Sequence, residues 1–129
     1  MDNVRLGTVA ALKHRGMWIV FGIGFILLVI HLSLTSQPVD VPGWWNFKLG
    51  HIVAYCWLML WFAQIYARFG VRLAIAAALL AMGIGLEYVQ GLVGRDFSYS
   101  DMRDDGIGIA LGWGIALTPF GKVLKKIDA

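Results

Sequence analysis

Eighteen residues from Met17 to Leu34 pass without an Asp, Glu, Lys or Arg, and Leu73–Val93 is apolar until Glu87 and Gln90 near its far end. A helix rises about 1.5 Å per residue, so about 20 residues cross a hydrocarbon core roughly 30 Å thick. Composition agrees: 59% of the 129 residues are hydrophobic and 15% charged, against roughly 45–50% and 25% in soluble domains. So short a chain cannot hide that much apolar surface in a core of its own. The expectation is an all-α membrane protein, with residues 1–129 forming a single integral membrane domain.

Two further segments complete a four-helix bundle. Leu49–Ala67 is an aromatic run, joined to the next segment by the short link Arg68-Phe69-Gly70-Val71-Arg72, which forces an antiparallel hairpin. Gly106–Phe120 has only 15 residues, too few to span alone. Ser98 and Asp101 have capping-box spacing, and a helix from Asp101 to Phe120 reaches 20 residues. The expected helices are therefore 17–34, 49–67, 73–93 and 101–120. The first exceeds the apolar core of a cleavable signal peptide, so it reads as a retained anchor.

Charge sets the orientation. Threading four spans puts Arg5, Lys13, Arg15, Arg68, Arg72, Lys122, Lys125 and Lys126 on one side and Lys48, Arg95 and Arg103 on the other. Cations accumulate on the cytoplasmic side, so both termini are expected there, in a multi-pass protein of the bacterial cytoplasmic membrane. The same interspersion removes nucleic acid as a partner, despite a net charge of +3. Cys56 is the sole cysteine and offers no intramolecular disulfide and no thiolate metal site.

Small residues mark expected helix contacts: Ala77, Ala81 and Gly85 on the third segment, and Gly108, Gly112 and Ala116 on the fourth. Gly83, Glu87, Gln90 and Gly94 fall along another side of the third segment, a polar face expected to point inward.

The polar residues that topology leaves unexplained gather toward the outer end. Lys48, His51 and Tyr55 share a helix face. Glu87 and Gln90 lie on the next segment, followed by Arg95, Ser98, Asp101 and Asp105. An ionised residue at the bilayer centre costs roughly 2.5–3.5 kcal/mol on insertion scales, which makes a membrane carboxylate a functional hypothesis by default. Structural readings stand beside this one. Glu87 can pair with Lys48 or Arg95 to fix helix register, Asp104 suits a helix N-terminus, and His14 belongs with the cytoplasmic cations.

Lys48-x-x-His51-x-x-x-Tyr55, then Glu87-x-x-Gln90-x-x-x-Gly94-Arg95, then Ser98-x-x-Asp101-x-x-x-Asp105-x-x-Gly108-x-x-x-Gly112 resembles the signature of the VanZ-like family of small bacterial membrane proteins. The resemblance covers about residues 47–116. Phe47 stands where the family commonly has Asp, and Asp105 where it commonly has Asn. The resemblance implies a four-helix membrane fold and a link to low-level resistance to teicoplanin-type glycopeptides; it supplies no reaction.

Two function classes follow from the residues. In one, the outer-leaflet patch binds an anionic lipid headgroup or lipid-linked phosphate and hydrolyses or transfers it. His51, Glu87 and Asp101 are then the catalytic candidates, and Lys48, Tyr55, Gln90, Arg95, Ser98 and Asp105 the binding ones. In the other, a non-enzymatic envelope protein engages a lipid, a cell-wall precursor, a glycopeptide or another membrane protein. The sequence has no metal-ligand set, Gly-rich phosphate loop or nucleophile motif, and it names no cofactor. Self-association is left open, and a transporter, lacking an evident repeat, would require it.

Overall fold

The computed structural model describes residues 12–34, 47–92 and 99–128, the side chains of 47–49 and 100 excepted. Four long helices follow in order: α1 (Arg15–Leu34), α2 (Phe47–Ile65), α3 (Phe69–Leu92) and α4 (Tyr99–Ala116). A 3-10 turn at Pro119–Lys122 and a short α5 (Val123–Asp128) complete the described chain, and no strand occurs among the described residues.

By length and composition α1 and α3 can each cross a membrane, and α4 with the bent segment after it makes a third candidate. Only 6% of the apolar window of α1 and 11% of that of α3 is buried inside the protein. Side chains such as Val20, Leu27, Leu28 and Leu92 instead point outward, the arrangement expected when lipid is the surrounding solvent. The apolar stretch of α2, Gly50–Ile65, is shorter and far more enclosed.

Enclosure follows from position, since α2 touches every other helix and makes its largest interface with α4. Gly108 and Gly112 permit that approach. A Cβ on Gly108 would strike the Ile52 carbonyl, and one on Gly112 the Cys56 carbonyl, with Met59 Cβ at 2.9 Å and Leu60 N at 3.1 Å. Bare backbone there lets two helices meet almost carbonyl to Cα, where dispersion contacts replace the side-chain interlock of wider crossings. Ala116 prolongs the buried stripe.

The third segment departs from expectation. Ala77, Ala81 and Gly85 are exposed, and Gly85 has nothing near the position of a Cβ. The inward face is Leu79, Gly83, Glu87 and Gln90. Small residues can face lipid at no cost, whereas a carboxylate and an amide cannot, so the polar pair sets the rotation of α3.

On the other flank of α2, Phe25 stands edge-on to Trp57 and Trp61, with ring centroids 5.6 and 4.9 Å away. Trp61 Nε1 donates to the Trp18 carbonyl at 2.8 Å, joining α1 to α2. Between α2 and α3 only residues 66–68 intervene, so the expected five-residue link is too long: α3 already begins at Phe69. The Arg72 guanidinium closes the turn, donating to the Ala63 and Tyr66 carbonyls at 2.7 and 2.9 Å and meeting acceptors that the end of α2 leaves open.

The fourth helix is also shorter than expected, ending at Ala116 rather than Phe120. Pro119 has no N–H and restrains its predecessor from helical geometry. Thr118 is extended there and its side chain accepts from the Phe120 N–H. The segment Pro119–Ile127 then leaves at 78° to Asp101–Ala116 and folds under the bundle, with Gly121 against the Ala116 carbonyl. Leu124 N–H donates to buried Gln64 Oε1 at 2.9 Å. Asp128 accepts from the backbone of Lys13 and His14 and pairs with the His14 ring at 2.7 Å. His14 is therefore tied to Asp128 rather than being one more free cation.

Candidate functional site

The other end of the bundle collects polar side chains from three helices: His51 and Tyr55 from α2, Glu87 from α3 with Gly83 four residues before it, and Asp101 and Asp105 from α4. Residues at that spacing lie one turn apart on one face, so three inward faces make a single cluster. The glycine contacts of α4 with α2 continue into it, Gly108 lying one turn below Asp105.

His51 is the centre. Its Nδ1 lies 2.7 Å from Asp105 Oδ1, and its Nε2 3.6 Å from Asp101 Oδ2. With Asp105 ionised the carboxylate can only accept, and the contact is then an Nδ1–H donated to Asp105. The second Asp105 oxygen and the Tyr55 hydroxyl stand over Gly83, where a Cβ would collide with the carboxylate and lie 3.2 Å from the phenol oxygen. Glycine here makes room for the polar groups rather than for another helix. Tyr55, Glu87 and Asp105 are each about 2% exposed, and Glu87, Asp101 and Asp105 all lie within electrostatic reach of His51.

Burial is graded. The Asp105 side chain is 2% exposed, whereas His51 is 15% and Asp101 20% exposed. A molecule arriving from outside thus meets the Nε2 edge of His51 and Asp101 first, with Asp105 behind. A carboxylate on Nδ1 fixes the imidazole's tautomer and leaves Nε2 as the nitrogen able to take or give a proton.

The other site residues expected from sequence divide. Gln90 is buried, and its Nε2 donates to the Ser33 carbonyl at 2.8 Å, so its amide N–H joins α3 to α1. Lys48, Arg95 and Ser98 lie outside the described side chains. Asp104 departs from the reading as a surface complement to a helix end: it is 3% exposed, 3.5 Å from Arg103, with one oxygen lacking a hydrogen-bond partner. Gly83 is the contributor that sequence reading placed on the right face without assigning it a role in the site. Its signal was a glycine one turn before a membrane glutamate. Among the described residues, no group of three or more His, Cys, Asp and Glu is arranged to hold a metal ion.

Compared with known proteins, the chain matches no family model, no curated protein and no solved structure.

Proposed function

We propose that this chain is a VanZ-like, four-span protein of the bacterial cytoplasmic membrane, both ends cytoplasmic, whose His51 cluster receives an anionic lipid headgroup or lipid-linked phosphate at the outer leaflet. His51 Nε2 then moves a proton during hydrolysis or transfer of that group. The carrying observation is the 2.7 Å contact between His51 Nδ1 and Asp105, which orients the ring while its other edge faces the more open side. Ionisable groups gathered inside an apolar bundle are expensive to keep and point to use.

One arrangement supports the topology. Lys13, Arg15, Arg68, Arg72, Lys122, Lys125 and Lys126 fall at the end where α5 meets the start of α1, and Arg103 at the other. The positive-inside rule makes the first end cytoplasmic. Because the described part of the site is rich in carboxylates, the reading requires Lys48 and Arg95 to supply positive charge for an anion.

A second reading has its own support. Both ring nitrogens of His51 face carboxylates, an arrangement that also serves to hold an imidazole still in a non-enzymatic envelope protein binding a cell-wall precursor, a glycopeptide or a membrane partner. Incubating purified protein with phosphatidic acid and with a polyprenyl diphosphate, and following phosphate release, separates the two. Release abolished by His51→Ala without loss of thermal stability supports catalysis. Retention of the lipid without conversion favours binding, and neither release nor retention removes both lipid-phosphate readings.

A further inference from the structure

A groove of about 300 Å³ opens at the basic end of the bundle, between α2, α4 and the segment after Pro119. Trp57, Trp61, Ile115, Phe120 and Ile127 line it, and the one amide on its wall, Gln64, already accepts the Leu124 N–H. An occupant therefore meets a wall that is apolar apart from the Gln64 amide and the Trp18 indole N–H.

The rim has the opposite character. Val123, Leu124 and Ile127 turn one side of α5 to the groove, while Lys122, Lys125 and Lys126 are exposed. Among the described residues no carboxylate pairs with these three lysines, and neighbouring Asp128 is committed to Lys13 and His14. In the four-span reading proposed above, on which this inference rests, α4 crosses the bilayer by itself and the 78° bend turns this segment along the membrane surface, lysines toward the headgroups, as interfacial amphipathic helices lie.

We propose that the groove holds one acyl chain of an anionic phospholipid from the surrounding bilayer, its headgroup bound by Lys122, Lys125 and Lys126. Basic side chains at a bilayer surface draw anionic lipid, and the groove beneath them gives that lipid a fixed seat. The site lies at the opposite end of the bundle from His51 and does not depend on the function assigned there.

Fluorescence quenching tests it. With Trp44, Trp45 and Trp113 replaced by Phe, the remaining Trp18, Trp57 and Trp61 all line the groove. The protein is reconstituted in vesicles of phosphatidylcholine with a minor share of phosphatidylglycerol, the bromine label carried on one lipid or the other. Brominated phosphatidylglycerol should quench about fivefold more than its mole fraction dictates. The excess should vanish in the Lys122→Gln, Lys125→Gln, Lys126→Gln variant and in high salt, with the thermal unfolding of that variant unchanged. Quenching that follows mole fraction in both proteins, or an excess that survives the triple change, overturns the proposal. So does absent quenching by either lipid together with a cross-linked dimer through Ile127→Cys, which would put a second copy in the groove.

Discussion

His51 Nδ1 lies 2.7 Å from an Asp105 oxygen, although the two residues are 54 positions apart and on different helices. That pair joins α2 to α4 within the polar cluster. Asp105→Ala leaves a buried imidazole N–H unmet, a change that costs about 1–3 kcal/mol, and Asp105→Asn keeps an acceptor and costs less. Unfolding in detergent should rank wild type, Asn, then Ala. Nitrogen-15 spectra of His51 should show one tautomer in wild type and a mixture in Asp105→Ala.

Gly112 and Gly85 should respond in opposite directions. A methyl at Gly112 runs into the Cys56 carbonyl and Met59, while Gly85 has open space at that position. Gly112→Ala should destabilise by about 1–3 kcal/mol through overpacking. Gly85→Ala should be neutral or stabilise by up to about 1 kcal/mol through helix propensity. Equal melting temperatures for the two variants would refute the assigned α2–α4 contact.

The junction of Asp128 with the start of α1 should weaken in acid. Burial raises the Asp128 carboxyl, but hydrogen bonds from the His14 ring and from the His14 and Lys13 backbone outweigh it and hold the group below the usual carboxylate range. A depressed folded value means that this contribution to stability is complete above the unfolded value, near 3.9, and is lost as pH falls through the folded one. The melting-temperature gap between wild type and Asp128→Asn should therefore hold at pH 5 and above and close below about pH 4.

Labelling of single cysteines tests the orientation. In a Cys56→Ser background, a cysteine placed at Ser36 or Ser98 should react with an impermeant thiol reagent in intact cells, and one at Ala129 should not. The reverse pattern would place the His51 cluster on the cytoplasmic side.

Apolar runs at 1.5 Å per residue located three of the helices, and the capping spacing of Ser98 and Asp101 extended the short fourth run into a helix. The same local logic put Glu87 and Gln90 on one inward face and Gly108 and Gly112 at a close contact. It also gathered Lys48, His51, Tyr55, Glu87, Gln90, Arg95, Ser98, Asp101 and Asp105 toward one end, and of these His51, Tyr55, Glu87, Asp101 and Asp105 share the inward cluster. Tertiary structure alone decided who bonds to whom. His51 chose Asp105 at its protonated nitrogen because Gly83 leaves space for that carboxylate, and Gln90 turned to Ser33 on α1. The outward rotation of Ala77, Ala81 and Gly85 could not be read locally, because small residues pack against lipid and protein equally well and their direction follows from the polar groups beside them. The join of Asp128 to His14 needed the 78° bend at Pro119, which carries a carboxylate 114 residues along the chain back to the start of α1. Periodicity fixes a face; only the packed bundle fixes its partner.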